Sequence, residues 1–341
     1  MIIQEATNFS PEAWDSFIRE HYPPVGAFMQ TFAWGEFQKE LGRSVTRYEI
    51  RDNEEIIAVF TYVEHMLRFG YAYGYIPRGP VVLSSIDSKK IPEILSAIGV
   101  WSKKQFPHLI FLRVEPPVPF LNEYKLPHFW LPANYIQPKY NATIDVTKSE
   151  EEILGSFHPS TRSNVKRAEK RGVSVTMKES IDTSEYQVFV EMMKDTIKRN
   201  SGQNAYPGDA YFRALFETVP FTVFYGHHEG KIVSAHFVLF FGETATYLYG
   251  ASHTAHLKSK IDTYLHWTAM KEAKRRGCKW YDLGGIDSKR WPSLTAYKRQ
   301  YRGREFEYIG TIEIPFRLPH YLIYTVARNA KIWFSKITSR K

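Results

Sequence analysis

Five cationic side chains are concentrated in the short segment that follows Ser160. They are Arg162, Lys166, Arg167, Lys170 and Arg171. Three of them recur every four residues and so lie on one face of a predicted helix, while the two others form a neighbouring stripe. Such a face can bind a phosphate backbone, and an arginine can hold one phosphate with two donors. The alternative interpretation is an ordinary charged helix face in water.

Two further positions carry groups that suit polar chemistry. Asp282 ends a predicted strand just before Gly284-Gly285, where it could line a cleft and accept a proton from an amine. It could equally be a structural cap on the glycine turn. Arg78 lies in a turn rich in proline and glycine and could bind a phosphate, although an arginine in a turn is more often simply exposed.

Composition indicates a folded protein whose positive charge is compatible with an anionic partner. The chain has 341 residues, of which 43% are hydrophobic and 24% charged, enough for one large or two medium cores. We expect two domains. Aromatic residues make up 16% and are spread throughout, which favours packed sheets over disorder. The formal charge of +9 is compatible with a polyanionic ligand such as a nucleic acid.

Cysteine use and hydropathy favour a cytoplasmic location. Cys278, the single cysteine, cannot form an internal disulfide, and the histidines and cysteine lack the spacing of a zinc site. The N-terminus lacks a signal peptide, and no stretch approaches the roughly 18 apolar residues of a membrane span. Residues 321–341 predict a basic helix that either docks on a core or contacts an anionic membrane surface.

Hydrophobic periodicity and turn signals predict a mixed α+β chain. The expected strands are 45–51, 55–63, 109–114, 142–146, 173–177, 221–227, 232–241, 243–250, 280–283 and 306–312. The expected helices are 11–20, 34–41, 91–106, a helix to 157 with a capping box at Thr147 and Glu150, one from Ser160 to 172, 184–200, 209–217 and 261–276. The first domain should comprise residues 1–146 with 317–341, and the second residues 147–316.

Several motifs, in order along the chain, resemble the FemABX family of peptidoglycan bridge-forming aminoacyltransferases. The most specific is the segment from Ser160 to Val173, and the others are Tyr75 to Pro80, Arg113 to Pro117, Tyr211-Phe212, Tyr247 to Ser252, Tyr281 to Ile286 and Tyr297-Lys298. The resemblance implies two acetyltransferase-like domains and no metal or organic cofactor. It also implies transfer of an amino acid from aminoacyl-tRNA to the stem-peptide amine of UDP-MurNAc-pentapeptide or lipid II. Because the basic segment runs directly into a strand, the chain resembles the compact members without a helical arm.

The resemblance also assigns roles to individual residues. Tyr297 and Lys298 match the family's catalytic region, and the cation would stabilise the oxyanion formed during acyl transfer. Tyr211 and Tyr249 match positions that contact the acceptor. In compact relatives a lysine just after the counterpart of Trp34 holds phosphates, whereas here Lys39 comes slightly later. An arginine expected shortly before Tyr211 is replaced by Tyr206-Pro207.

Two other functions fit parts of the pattern. An acyl-CoA N-acetyltransferase can share the fold, but it needs a glycine-containing pyrophosphate loop. The nearest stretches, Arg199 to Asn204 and Gln300 to Glu305, each end in the wrong residue. A non-enzymatic RNA-binding protein would explain the charge but leaves Tyr297-Lys298 and the glycine motif after Asp282 without a role.

Overall fold

The computed structural model describes residues 1–23, 25–117, 131–132, 136–199 and 206–338. The strands in these residues are β1 (Ile2–Glu5), β2 (Ser44–Asp52), β3 (Glu55–Met66), β4 (Ala72–Ile76), β5 (Val81–Val82), β6 (Leu109–Val114), β7 (Leu131–Pro132), β8 (Tyr140–Asp145), β9 (Ser174–Lys178), β10 (Thr222–His228), β11 (Lys231–Phe241), β12 (Thr244–Ser252), β13 (Trp280–Ile286), β14 (Arg304–Glu307) and β15 (Ile312–Pro315). The α-helices are α1 (Pro11–His21), α2 (Phe32–Glu40), α3 (Ile91–Gln105), α4 (Glu150–Ser156), α5 (Pro159–Lys170), α6 (Thr183–Arg199), α7 (Asp209–Thr218), α8 (Ile261–Arg275), α9 (Pro292–Arg299) and α10 (Leu318–Thr338).

The chain divides into two compact units, Met1–Lys139 with Glu307–Lys341, and Tyr140–Phe306. Each unit has its own mixed sheet, so the predicted α+β class is confirmed. The division differs from the expected boundaries at residues 146 and 317. β8 pairs with β13 in the second unit, and β15 pairs with β6 in the first. The boundaries between the units are set by pairing of strands that are far apart in sequence. The proline-rich connecting segments do not reveal which strands pair.

The two sheets have the same plan. In the first, the order is β1-β2-β3-β4-β6-β15-β7, with β5 also on β3, and β4 and β6 form its parallel pair. In the second, the order is β14-β8-β13-β12-β11-β10-β9, and β12 and β13 are parallel. Each parallel pair is connected through one long helix, α3 in the first unit and α8 in the second. A parallel pair requires such a crossover.

Each crossover helix buries an apolar face in the core of its own unit. Ile94, Leu95 and Ile98 of α3 pack in one cluster with strands of the first sheet, and Leu265 and Met270 of α8 do the same in the second. Burial of such side chains is the main favourable contribution to the stability of each unit.

Side-chain caps begin several of the helices, among them α1, α2 and α4. Ser10 caps α1 by accepting from the Ala13 amide, with Pro11 in the first turn, as the sequence predicts. The predicted capping box at Thr147 and Glu150 is wrong by two residues, because Ser149 and Glu152 form it. Thr147 instead donates its hydroxyl and amide to Asp145 at the end of β8.

Two differences matter for the site. The predicted strand 306–312 is instead two short strands, β14 and β15, which belong to different sheets. The helix α9 was not predicted, and Lys298 lies on it rather than in a loop. With eight residues, the first of them a proline, it is too short a run for helical periodicity to be detected.

The C-terminal helix α10 packs on the first unit through Tyr321, which lies in a cluster with Phe111 and Tyr73. On the other side Leu322, Ile323 and Val326 remain exposed. The interpretation that this helix packs on a core is therefore correct for one of its faces. Contact of the exposed face with a membrane surface stays a prediction.

Candidate active site

Lys298 lies near the end of α9 and is only 5% exposed. Pro292 occupies the first turn of this helix, where a missing amide hydrogen removes no intrahelical bond. The Asp287 amide donates to Thr295 Oγ1 over 2.8 Å, which fixes α9 to the segment leaving β13. Lys298 Nζ then donates to the carbonyl of Gly285 over 2.9 Å. The helix therefore holds the ammonium group against the end of β13.

β13 is irregular at the point where it receives Lys298. Its register with β8 shifts between Asp282 and Gly285, and Gly284 has a φ of +76°, a conformation that favours glycine. A Cβ at Gly284 would lie 3.4 Å from Lys298 Nζ. Asp282 is 1% exposed and accepts from the Gly284 amide over 2.8 Å and from the Asn141 side chain over 3.4 Å. The carboxylate thus holds the bulge, as the structural interpretation of this residue expects.

The positive charge of Lys298 is only partly compensated. Burial lowers the pKa of Lys298 to about 8, although the Asp282 carboxylate acts in the opposite direction. The ammonium nitrogen lies 5.9 Å from the centre of the Tyr247 ring, within the range of a cation–π contact. At neutral pH the ammonium is still mostly protonated. The site therefore holds a cation that an incoming negative charge would stabilise.

A cluster of aromatic side chains, which includes Tyr247 and His266, lies beside this cation and forms the aromatic layer of the site. His266 Nδ1 lies 2.9 Å from the Tyr281 hydroxyl, and the hydroxyls of Tyr297 and Tyr301 are also 2.9 Å apart. Burial drives the pKa of His266 well below its ordinary value and that of Tyr297 well above it. Near neutral pH the imidazole is therefore uncharged and the phenols keep their protons, so Tyr297 can act as a hydrogen-bond donor but not as a base.

The two tyrosines predicted to contact the acceptor meet each other. Tyr211 on α7 and Tyr249 on β12 have their hydroxyls 2.9 Å apart, and the rings of Phe212 and Tyr249 pack edge to face at 5.1 Å. Tyr247, two residues earlier on β12, contacts His266 on α8 instead. The register of β11 and β12 shifts at this point, which accounts for neighbouring tyrosines serving different helices.

The predicted basic face lies on α5, and four of its five cations are exposed: Lys166, Arg167, Lys170 and Arg171. Arg162 differs, because its guanidinium donates to the carbonyls of Gly155 over 3.0 Å and Phe157 over 2.6 Å. It therefore satisfies carbonyl groups at the end of α4. Arg171 donates to the Lys258 carbonyl from the other end of the helix. The surface with free basic side chains is thus narrower than the sequence suggests.

The two cations predicted in the first unit have different surroundings. Arg78 is 4% exposed, adopts a φ of +49°, donates to the Pro138 carbonyl over 2.5 Å and stacks over Tyr308, with its guanidinium carbon 4.3 Å from the ring centre. The alternative interpretation of Arg78, an exposed arginine in a turn, is therefore wrong, and its binding of a phosphate stays a prediction. Lys39 is exposed and pairs with Glu36 over 2.9 Å.

The family model of the FemAB family matches residues 9–128, 124–224 and 223–329, and so covers most of the chain. The chain belongs to the FemAB family. A similar characterised relative is the lipid II:glycine glycyltransferase of Staphylococcus aureus strain NCTC 8325, 23% identical over 99% of this chain and 100% of the relative. The resemblance noted from the motifs is therefore confirmed.

Solved structures agree on the FemAB fold. The crystal structure of FemX superimposes with a TM-score of 0.75 at 21% identity, covering 95% of this chain and 99% of that one. L-PGS from Bacillus licheniformis gives 0.55 at 12% identity over 92% and 95%. A tandem GNAT protein from the clavulanic acid biosynthesis pathway gives 0.54 at 9% identity over 92% and 99%. The predicted pair of acetyltransferase-like units is thus a feature of the fold.

This FemAB-family chain is shorter than its staphylococcal relative. Its alignment with the staphylococcal glycyltransferase runs over 434 positions, more than its own 341 residues, so that relative has inserted segments. Directly after the basic segment, where the resemblance implies no helical arm, α5 ends at Lys170 and β9 begins at Ser174. Among the described helices, none is both long and apolar enough to cross a membrane.

The residues of the site that were not singled out from the sequence include Asn141, Tyr247 and His266. Tyr247 begins the family motif that contains Tyr249, so its position was a usable signal. Asn141 lies on β8, far from Asp282 in sequence, and only the pairing of β8 with β13 brings them together. His266 lies inside an ordinary amphipathic helix and carries no local signal.

Proposed function

We propose that this FemAB-family protein transfers an amino acid from aminoacyl-tRNA to the side-chain amine of a peptidoglycan stem peptide, carried on UDP-MurNAc-pentapeptide or lipid II. The observation that carries the proposal is the buried ammonium of Lys298, next to the Gly284-Gly285 bulge. A relative that covers the whole chain is named for glycyl transfer to lipid II, which supports the same reaction class here.

The chemistry requires a cation at one point. The acceptor amine attacks the ester carbonyl carbon, a C–N bond forms, and negative charge collects on the carbonyl oxygen. The C–O bond to the tRNA ribose then breaks and the ribose hydroxyl leaves. A fixed positive charge lowers the energy of this charged intermediate most when the surroundings contain little water. Lys298 meets both conditions, since it is protonated near neutral pH and nearly completely buried.

The amine must also lose a proton. Asp282 is the carboxylate expected from the sequence, but its oxygens already accept from Gly284 and Asn141. We therefore assign Asp282 to holding the bulge and to supporting the charge of Lys298. The proton can pass to the departing ribose oxygen, which needs it when the ester bond breaks. Tyr297 would serve as a donor within the aromatic layer, because burial keeps its phenol protonated.

Binding of the two substrates is assigned to other groups. The exposed cations of α5 would contact tRNA phosphates, because solvent-exposed lysine and arginine side chains exchange counterions for phosphate contacts. Tyr211 and Tyr249 offer hydroxyls and flat apolar faces that suit a sugar–peptide acceptor. Arg78 and Lys39 remain candidates for the acceptor phosphates, with Arg78 available only if the substrate replaces the Pro138 carbonyl as its partner.

The fold alone would also allow acyl transfer from acetyl-CoA. Residues 200–204 of the first candidate pyrophosphate loop lie outside the described residues. In the second, a Cβ at Gly303 would lie 2.5 Å from the Thr143 carbonyl oxygen, so this glycine serves close packing against β8. That packing argues against a pyrophosphate-binding loop at Gln300 to Glu305.

One assay tests the proposed reaction. Purified protein is incubated with tRNAs charged with labelled amino acids and either UDP-MurNAc-pentapeptide or lipid II. We expect label on one of the acceptors, and none when acetyl-CoA or a free amino acid replaces the charged tRNA. Acetylation of an amine without tRNA, or no transfer to either acceptor from any charged tRNA, would reject the assignment.

A variant of α5 tests the donor separately. Lys166, Arg167 and Lys170 are changed together to glutamine, and tRNA affinity is measured at several salt concentrations. Losing three phosphate contacts should flatten the slope of log affinity against log salt by roughly 2 to 3 units. Arg162→Gln is the matched control on the same helix, and its slope should stay near that of the wild type because its guanidinium is bonded to α4 carbonyls. An unchanged slope in the triple variant would show that tRNA binds elsewhere.

A further inference from the structure

Two histidines and a glutamate meet at one corner of the second unit, outside the site around Lys298. His228 ends β10, Glu229 follows in the turn to β11, and His256 lies in the 3-10 helix Thr254–Ser259. The Nδ1 atoms of the two histidines are 3.1 Å apart, and one ligand atom from each of the three side chains lies within 4.8 Å of the others. The histidines are half-buried and the glutamate is exposed.

The separation of the two nitrogens matches joint coordination of a metal ion. With Zn–N bonds of about 2.0–2.1 Å, two nitrogens on a tetrahedral ion are about 3.3 Å apart, and two at a right angle about 2.9 Å. The observed 3.1 Å lies between these values. The same distance also allows one neutral imidazole to donate a hydrogen bond to the other, which would satisfy both Nδ1 atoms when no ion is bound.

Glu229 occupies a backbone position that disfavours it. Its φ is +54° and that of Gly230 is +74°, as in a two-residue hairpin turn with both central residues left-handed. Such turns prefer asparagine, aspartate or glycine at the first position. A residue that breaks a local preference often serves another purpose. Here the carboxylate is brought next to the two imidazoles.

We propose that His228, Glu229 and His256 form a binding site for Zn²⁺ or a similar first-row divalent metal ion, with water completing the coordination. Two imidazoles and one carboxylate suit zinc, whereas Mg²⁺ and Ca²⁺ prefer oxygen ligands throughout. The neighbouring His227 takes no part, because its Nε2 lies 2.8 Å from Thr176 Oγ1 on β9. The sequence did not reveal the site, since its ligands come from two segments without zinc-motif spacing.

The metal would act as a structural link. It would join the β10–β11 corner to the 3-10 helix Thr254–Ser259, whose Lys258 carbonyl accepts from Arg171 at the end of α5. The same segment leads directly into α8, which carries His266 of the aromatic layer. Holding this segment would therefore steady two parts of the second unit, whatever reaction the protein catalyses.

The test uses the full chain without an affinity tag, stripped with a chelator and titrated with Zn²⁺ by calorimetry. We expect one Zn²⁺ per chain with a micromolar dissociation constant, and a rise in unfolding temperature. His228→Gln and His256→Gln should each weaken binding by at least about tenfold, and the pair together should abolish it. His227→Gln is the control and should leave binding unchanged.

Glu229→Asn separates metal binding from folding. Asparagine suits the left-handed turn, so the metal-free variant should unfold at the same or a higher temperature than the wild type while binding Zn²⁺ several-fold more weakly. Absence of Zn²⁺ uptake by the wild type up to about 100 µM would overturn the proposal, as would a site of unchanged affinity in the double histidine variant.

Discussion

β6 and β13 hold the same place in their sheets, yet they handle buried charge in opposite ways. Each follows the crossover helix of its unit, and each has a parallel partner, β4 for β6 and β12 for β13. β6 pairs with β15 in regular register, and Arg113 on it meets Glu313 across the pair, Nε to Oε1 over 3.0 Å. β13 instead forms a bulge against β8, and the Gly285 carbonyl in the bulge accepts a hydrogen bond from Lys298 Nζ.

The partners of the two cations explain the contrast. Burial alone would lower the pKa of Arg113, but Tyr73 and Glu313 more than offset it, and the pKa is raised. Glu313 is further held by the Tyr321 hydroxyl over 2.6 Å and by Arg328 over 2.9 Å. For Lys298 burial outweighs Asp282, and the pKa falls. A cation satisfied inside the fold indicates a structural role, whereas one left short of negative charge can stabilise charge that arrives with a substrate.

The largest effect should come from removing the under-compensated cation. Lys298→Met keeps the length of the side chain and removes its charge, so the folded enzyme should bind both substrates while turnover falls by about 100- to 1000-fold. Single-turnover transfer from charged tRNA measures this loss, and circular dichroism with tRNA affinity checks that folding and binding persist.

Two companion results make that outcome decisive. Stability to urea should not fall in Lys298→Met, because burial disfavours the charge that it removes. Lys298→Arg should restore turnover only in part, since a planar guanidinium cannot place its charge where the compact ammonium did. If Lys298→Met keeps more than about a tenth of wild-type turnover, the cation is not the main oxyanion stabiliser.

The opposite pattern is expected for Arg113. Arg113→Met leaves Glu313 buried with fewer donors, and we expect a loss of roughly 3 kcal/mol in the free energy of unfolding. Turnover per folded molecule should stay within about threefold of the wild type. Urea denaturation followed by tryptophan fluorescence gives the first quantity. Arg328→Met, at the more exposed partner of the same glutamate, should cost less. If Arg113→Met lost turnover but kept its stability, the assignment of a structural role to Arg113 and a catalytic role to Lys298 would be wrong.

The strands and helices of this comparison could mostly be predicted from the sequence. β6, β13 and both crossover helices have strong periodicity and clear ends, and the predicted bounds lie within a few residues of those observed. Gly284-Gly285 was interpreted as a turn after a strand ending at residue 283, whereas β13 continues through the glycine pair as a bulge to Ile286. What could not be predicted is which strands β8 and β15 pair with. The partner of a strand depends on contacts across the whole unit.

The site shows the same division. Lys298 was recognised through its family motif, but its helix was too short to detect, and its burial follows from packing between α9 and β13. Arg78 looked exposed because its turn is polar and proline-rich, whereas Tyr308, 230 positions later, covers it. Local sequence indicates which chemical groups are present. Their exposure, and hence their pKa, depends on residues distant in sequence.

The smallest expected effect is a pH dependence, and it distinguishes two roles for Lys298. With a pKa of about 8, the ammonium should be mostly protonated at pH 7 and about one-tenth protonated at pH 9. If protonated Lys298 stabilises the oxyanion, kcat/KM should fall above pH 8, because this parameter reports the free enzyme. The acceptor amine also titrates, so the useful quantity is the ratio of wild type to Lys298→Arg, in which substrate titration cancels and the arginine stays charged. That ratio should fall about tenfold between pH 7 and pH 9. A ratio that rises with pH would mean that neutral lysine acts as a base instead.

The stability of the fold offers an independent check of the direction of this pKa shift, since the pKa of Lys298 in the folded protein lies below the unfolded value of 10.5. Between these values the unfolded chain holds the proton more tightly, so the stability of wild type relative to Lys298→Met should rise as pH increases from 8 towards 10.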